Sequence, residues 1–395
     1  MSQKLHKPHQ SPQINHTVKA LGVVSLLTDL STKMVYPITP IFLTQILGAP
    51  IWTLGLIEGI AESTASLLKL YSGWLSDRVG RRKPFALLGY GLGACSRILM
   101  AVSMVWGHVL GARFIDRLGK GLRAAPRDVL ITENSPPHKR GYAFGLHHSL
   151  EKVGEVLGPL LGAIFLWFFP GNYRGVFAIA VIPAFLGIAV LSVVVRERRT
   201  KHHSNRAHPQ LKWRGLSHTY RHFLMVMGLF SVGNSSDTFL LLRAQDLGLP
   251  SSQILLLYAL LNLVEVLLGV AAGRLSDRVG RKALLRGGFL IFAVVYLGFA
   301  LTTSIWVVWI LFLLYGLYST FTRGVQKALV SDLVHPERRG AEIGVFHTVT
   351  GAAALPASLI AGALYSQIDS GAPFYFSALI AVITVLLLEL NKDIA

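Results

Sequence analysis

The stretch Gly73-Trp74-Leu75-Ser76-Asp77-Arg78-Val79-Gly80-Arg81-Arg82-Lys83 recurs 200 residues on as Gly273-Arg274-Leu275-Ser276-Asp277-Arg278-Val279-Gly280-Arg281-Lys282. A second stretch, Pro137-His138-Lys139-Arg140-Gly141-Tyr142-Ala143-Phe144-Gly145, returns at an offset of 199 as Pro336-Glu337-Arg338-Arg339-Gly340-Ala341-Glu342-Ile343-Gly344. Two matches at nearly one displacement mark the chain as two copies of one unit in the same orientation. Each copy follows an even-numbered apolar run. The unit therefore holds six such runs.

Composition says where those runs belong. Of 395 residues, 52% are hydrophobic and 15% charged, and the mean hydropathy is +0.52. A soluble domain carries about 25% charged residues, whereas a bilayer accepts about 20 apolar residues per helical crossing. Spans are expected at 19–46, 51–75, 84–106, 108–131, 142–168, 174–195, 219–243, 251–272, 284–302, 305–328, 341–366 and 374–390. The fold class is an all-α membrane protein, with twelve transmembrane helices in two pseudo-symmetric six-helix bundles. Residues 1–18 form an N-terminal tail, 19–195 the first bundle, 196–218 a basic linker, 219–390 the second bundle and 391–395 a C-terminal tail. The first apolar run is too long for a signal-peptide core and lacks a small-residue cleavage site, so it is expected to remain in the mature protein.

The formal charge of +18 invites a nucleic-acid reading, but the basic residues cluster in alternate loops and not in one patch. Lys4, Lys7 and Lys19 precede the first span. Arg78, Arg81, Arg82 and Lys83 follow the second, and Lys139 and Arg140 the fourth. Arg196, Arg198 and Arg199 open the linker, while Arg278, Arg281 and Lys282 follow the eighth span and Arg338 and Arg339 the tenth. This positive-inside pattern puts both termini and the linker in the cytoplasm of a multi-pass cytoplasmic (inner) membrane protein. Cys95 is the single cysteine, read as a small buried hydrophobe, which excludes a disulfide or a Cys-based metal site. His202, His203, His208 and His218 read as a solvated basic loop. No metal or other cofactor is expected. No HExxH, GxSxG or P-loop pattern occurs, which argues against an enzyme.

Ionisable residues inside the runs cost about 2.5–3.5 kcal/mol each on insertion scales and are rarely placed there without a partner or a task. Asp29, Glu58, Glu62, His148, Glu151 and Glu155 are candidates for carrying protons, or for internal salt bridges such as Glu62 or Glu155 with Arg117. Asp116, Lys120, Arg123 and Arg127 share one face of span four by helical spacing. In span one, Asp29 and Lys33 form a charged pair at i, i+4, and Pro37 and Pro40 lie one turn apart beyond Tyr36, so a bent, cavity-lining helix is expected. Asn234 and Asp237 in span seven, with Asn262 and Glu265 in span eight, are the second half's cavity candidates. Most of the polar chemistry lies in the first half.

The repeated loop resembles the loop between spans two and three of the major facilitator superfamily. That resemblance implies that Gly73, Asp77, Arg78, Gly80 and Arg81, with Gly273, Asp277, Arg278, Gly280 and Arg281, gate one side of the protein. Asp77 would meet the N-terminus of span eleven, and Asp277 that of span five, where a helix dipole favours an anion. Gly154, Gly158, Pro159 and Gly162 in span five are similar to a glycine–proline element of the drug:proton antiporter branch. Close helix packing explains the same pattern. Arg117 to Ala125 partly resembles the family's span-four pattern, but Lys120 replaces its Gln and Arg123 its Gly, adding positive charge at membrane depth.

The resemblance implies a proton-coupled secondary transporter working by alternating access, with the lipid bilayer, protons and a small-molecule solute as its partners. Efflux of a small organic solute is the expectation, and a monomer the expected state. The basic stripe of span four favours the alternative, uptake of an anionic metabolite or an iron–siderophore chelate. A membrane receptor or scaffold on a transporter fold is the alternative from another class, disfavoured by the short tails 1–17 and 391–395.

Overall fold

A computed structural model describes residues 16–79, 81–136, 139–195, 197, 215–334 and 339–390, with side chains for all of these except 70, 73, 74, 77 and 339–341. Residues 1–15, the expected C-terminal tail and most of the basic linker, including His202, His203 and His208, fall outside these residues, whereas residues 16–18 of the expected N-terminal tail and His218 of the expected linker are helical. Among the described residues the chain is helical and crosses the bundle twelve times. The helices are α1 (His16–Val35), α2 (Ile51–Val79), α3 (Lys83–Ala101), α4 (Trp106–Glu133), α5 (Arg140–Phe168) and α6 (Tyr173–Val194) in the first half. In the second half α7 is split into His218–Gly233 and Thr238–Asp246. It is followed by α8 (Ser251–Val279), α9 (Arg281–Leu301), α10 (Ile305–Leu333), α11 (Arg339–Gln367) and α12 (Ala372–Leu390).

Two irregularities matter for the site. Beyond Val35 the first crossing continues as a tight 3₁₀ turn (Tyr36–Ile38), a short helical piece (Thr39–Ile41) and a wide π turn (Phe42–Ile46). Pro37 and Pro40 each lack a backbone N–H, so the regular i to i−4 ladder cannot run through them. In α7 the backbone leaves the helix at residues 234–237. Elsewhere α2, α4, α8 and α10 extend several residues past the apolar runs, to residues 79, 133, 279 and 333. Their charged ends are helical too. At the α8–α9 turn Gly280 adopts φ +91°, a conformation that strains any residue with a side chain. Cys95 is exposed on α3, not buried as its apolar surroundings suggested.

Among the described residues eight crossings are long and apolar enough to span a membrane on composition alone, namely α3 and α6 to α12. The remaining four, α1, α2, α4 and α5, carry most of the intramembrane charges and form the interior of the first half. α1 packs on α5, α4 on α3 and α2. Gly154 and Gly158 make the α1–α5 contact possible: a Cβ there would lie 2.3 Å from the Leu26 carbonyl oxygen and 2.4 Å from that of Leu30. Only a residue without a side chain lets the two backbones approach so closely.

The two halves meet along α2 with α11 and α5 with α8. We call the end where α1 begins the linker face and the opposite end the far face. The tight described contacts of the seam run from mid-depth, where a Cβ on Gly351 would lie 2.2 Å from Ser66 Cβ, toward the far face. A Cβ on Gly55 would sit 2.1 Å from the Ser358 carbonyl oxygen, and one on Gly59 2.9 Å from Leu355 Cα. Near mid-depth Ser63 donates to the Gly351 carbonyl at 3.0 Å. Also on the far side, Gly162 faces Leu255 and Tyr173 and Ser251 share a hydrogen bond of 2.7 Å.

Candidate transport cavity

Between the halves lies a cavity of about 530 Å³. Its first-half wall is built by α1, α2, α4 and α5, and its second-half wall by α7, α8, α10 and α11. Asp29, Lys33 and Tyr36 face it from α1, Glu62 from α2, Arg117, Lys120 and Arg123 from α4, and Glu155 from α5. Asn234 and Asp237 face it from the break in α7.

Under the first-half wall the charges are paired. Glu58 is fully buried and accepts two hydrogen bonds from Arg113, Nε to Oε1 at 3.0 Å and Nη2 to Oε2 at 2.7 Å. The Arg97 guanidinium donates to Asp116 at 3.0 Å and to Thr32 at 2.7 Å. Arg117 meets Glu62 at 2.7 Å. Of these three pairs only Arg113–Glu58 has the two-bond fork that suits a desolvated guanidinium; Arg97 and Arg117 each keep a buried Nε without a hydrogen-bond partner among the described residues. Arg127 turns away from the cavity to Glu151 (2.6 Å) and Asp128 (2.9 Å). His148 is exposed and reaches the other oxygen of Glu151 at 3.4 Å. His147, which sequence reasoning passed over, is buried and bonds Ser25 at 2.8 Å.

A second network joins the halves. Lys33 donates to the Tyr258 hydroxyl at 2.8 Å and lies 3.9 Å from Glu155. Its ammonium stands 5.0 Å from the centre of the Tyr258 ring and 5.7 Å from that of Tyr36, within reach of a cation–π attraction. Lys152 bridges Glu155 and Glu265, each at 2.7 Å, and Arg323 approaches Glu265 at 3.5 Å. Ser319 also donates to Glu265. Lys33 therefore does not pair with Asp29, its i−4 neighbour, because Glu155 and Tyr258 offer contacts across the helix packing. Nearer the far face, Ser236 bonds the Tyr36 hydroxyl at 3.2 Å and donates to Glu58 at 3.4 Å, again across the halves.

Four wall groups lack such partners. Among the described residues Asp29, Lys120 and Lys327 form no hydrogen bond and no ion pair within 4 Å. Arg123 has no carboxylate within that distance and lies over the Tyr90 ring at 4.7 Å. Asp29 interacts electrostatically with Glu151, Glu155, Arg123 and Lys120. Asp237 accepts one hydrogen bond, from Tyr315 at 2.6 Å.

Of the residues singled out in the sequence, Asp29, Lys33, Tyr36, Glu62, Arg117, Lys120, Arg123, Glu155, Asn234 and Asp237 converge on the cavity. Glu58 lies behind the wall under Arg113, Glu265 behind it under Lys152, and Asn262 is buried with its amide on the Tyr258 carbonyl at 2.7 Å. Arg127, His148 and Glu151 belong to the separate cluster nearer the linker face. Sequence reasoning missed the tyrosines Tyr258, Tyr315 and Tyr318 and the wall residue His347. The i, i+3 spacing of Tyr315 and Tyr318 was their one visible signal.

In the repeated loops Arg78, Arg81, Asp277 and Arg278 are exposed. Asp277 makes no hydrogen bond or ion pair with α5 among the described residues. Arg281 donates to the Ala328 carbonyl at 2.7 Å and pairs with Asp332. Gly73, Asp77 and Gly80 lie outside the described residues or side chains.

A twelve-crossing bundle with two like halves and an ionisable cavity between them is the architecture of a solute transporter. The family model of the Major Facilitator Superfamily matches residues 21–242 and again 222–393, and the chain belongs to that superfamily of membrane transporters. It is 32% identical over 393 residues to an uncharacterized MFS-type transporter of Methanocaldococcus jannaschii, covering 98% of each chain. In fold it is similar to a POT family transporter solved with 5-aminolevulinic acid, with a TM-score of 0.80, 13% identity and 96% of each chain covered. It is also similar to the human organic anion transporter MFSD10, with a TM-score of 0.67, 18% identity and 96% and 100% of the two chains covered.

Proposed function

We propose that this secondary transporter is proton-coupled and moves a small organic solute bearing an anionic group across the cytoplasmic membrane. The observation that carries the reading is the set of cations on the cavity wall, Lys120, Arg123 and Lys327, with no carboxylate within 4 Å among the described residues. Inside a bilayer such charges persist where they have a task. Asp29 is the candidate proton carrier, because Glu62 and Glu155 are each engaged by a cation and Asp29 is not. With the basic loops cytoplasmic, the linker face is the inner one, and an inward-facing state is supported by the seam contacts on the far side and by Asp277 making no hydrogen bond or ion pair with α5 among the described residues.

Efflux is favoured by the glycine–proline element of α5, although its glycines also serve the packing against α1. Uptake of an anionic metabolite or iron chelate is the second reading, supported by the same unpaired cations.

The test is thermal stability of the purified, detergent-solubilised protein against organic acids, iron chelates and lipophilic cations at pH 6 and pH 8. A ligand at 100 times its Kd stabilises the folded state by about 2.7 kcal/mol. Stabilisation by acids supports the proposal, and stabilisation by lipophilic cations alone overturns it. In proteoliposomes holding a pH-sensitive dye, the stabilising solute should drive a proton flux that Asp29→Asn silences while binding persists.

A further inference from the structure

The cavity is polar along its length. At its blind end, toward the far face, the wall is made by Tyr36, Tyr258, Tyr315 and Tyr318 around Asp237. Toward the linker face it is made by Lys120, Arg123 and Lys327. The heights follow from helix position. Tyr315 and Lys327 are twelve residues apart on α10, about 18 Å along the axis, and Arg117 and Arg123 on α4 are separated by about 9 Å.

Asp237 stands out at the blind end. It occupies the N-cap position of the second segment of α7, where an aspartate side chain ordinarily accepts a backbone N–H. Here it makes no capping bond. Its Oδ1 accepts from Tyr315 at 2.6 Å, and among the described residues Oδ2 accepts nothing and no cation lies within 4 Å, Arg323 across the cavity acting on it only at longer range. An ionised carboxylate has acceptor capacity for about four donors, so most of this group's capacity faces the cavity. Asp237 also interacts electrostatically with the Tyr36, Tyr258 and Tyr318 hydroxyls. A half-buried carboxylate ringed by tyrosines is suited to an ammonium, which gains both the ion pair and the ring faces. These rings already meet cations of the protein, Lys33 over Tyr36 and Tyr258 and Arg113 at 5.1 Å over Tyr36, whereas no cation among the described residues stands over the Tyr315 ring, whose face is left for a substrate ammonium.

We infer that Asp237, with Tyr36, Tyr258 and Tyr315, forms an ammonium subsite, so that the substrate is an elongated zwitterion entering amine first with its anionic end held at Lys120, Arg123 and Lys327. This rests on the anionic-solute reading and adds the second pole and the spacing between the poles.

The experiment uses full-length protein in detergent and a graded series from 4-aminobutanoate to 12-aminododecanoate. Each compound is paired with the fatty acid and the alkylamine of the same length. Thermal shift and calorimetry should show the longer aminocarboxylates binding about tenfold or more tightly than either partner, the size of one charge-assisted contact. Asp237→Asn should erase the preference over the fatty acid but leave the preference over the alkylamine. Lys120→Ala should do the reverse.

Should Asp237→Asn fail to fold, the wild-type series still decides. Fatty acids binding as tightly as the aminocarboxylates would overturn the ammonium subsite and leave the anionic-solute reading standing. Alkylamines binding best of all would overturn both. A preference untouched by Asp237→Asn would overturn the assignment of Asp237.

Discussion

The two halves descend from one repeated unit, yet their interiors solve the problem of a polar cavity in a membrane differently. The first half buries charge and pairs it: Glu58 with Arg113, Asp116 with Arg97, Glu62 with Arg117, Glu151 with Arg127. The second half buries aromatic rings. Phe230, Phe292, Tyr296, Tyr315 and Tyr318 contact one another in a continuous cluster, and its polar wall is made largely of their hydroxyls and the broken segment of α7. The first arrangement is rigid and intolerant, because every charge depends on its partner. The second leaves carboxylate and hydroxyl capacity free at the surface of the cavity. The difference divides labour, with the scaffold for charge in one half and open acceptors in the other.

The sharpest way to break this comparison is to delete one carboxylate from each half. Glu58→Ala strands the Arg113 guanidinium, whose side chain is 5% exposed, and removing one partner of a buried pair costs about 3–5 kcal/mol. We expect most of the folded protein to be lost from size-exclusion profiles, or the melting temperature to fall by many degrees. Asp237→Asn keeps a similar shape and breaks no ion pair, so a cost within about 1 kcal/mol is expected. Equal costs would mean that the pairs of the first half are not what stabilises it.

A smaller effect separates the glycines. Gly158→Ala drives a Cβ into the Leu30 carbonyl, and overpacking of this kind costs about 1–3 kcal/mol. On α8, Gly269 has nothing within 4 Å of the same added atom. Gly269→Ala should therefore be neutral or stabilising by up to about 1 kcal/mol, the helix-propensity difference. Urea or thermal denaturation of the two variants side by side checks the contrast. A neutral Gly158→Ala would remove the packing role of the α5 element.

The contrast between the halves also explains which features are legible in the amino-acid sequence. The fold is legible because Gly73–Lys83 and Gly273–Lys282 repeat at one offset, and a repeat survives even where hydropathy fails. Hydropathy does fail on α1, α2, α4 and α5, the crossings richest in charge. The cations of α4 are legible because Lys120 and Arg123 are costly in a bilayer and share a helix face. Which partner each charge takes is not legible. Asp29 and Lys33 look paired at i, i+4, but Lys33 turns to Glu155 and Tyr258, contacts that arise only once α5 and α8 pack beside α1. The tyrosines of α8 and α10 are hidden for the opposite reason: aromatic residues at helical spacing look like core unless a cavity lies beside them. Asp237 is betrayed by its charge, but its missing capping bond depends on how α7 breaks and on where Tyr315 of α10 meets it.

The smallest effect is expected where the second half does carry ion pairs. Its pair of Arg286 with Glu389 lies at 3.1 Å with both side chains more than two-fifths exposed, and Lys282 lies 4.0 Å from the same carboxylate. Exposed pairs of this kind contribute about 0.2–1 kcal/mol in low salt, because water solvates the separated charges nearly as well as they solvate each other. The contribution shrinks further once the Debye length falls to roughly 3 Å at 1 M salt. Glu389→Gln should accordingly shift the melting temperature by no more than a degree or two, and the shift should vanish in high salt. The same salt should leave the large effect of Glu58→Ala intact, since its partner is shielded from solvent. A Glu389→Gln loss as large as that of Glu58→Ala would mean that the second half, too, depends on paired charge, and the division between the halves would fall.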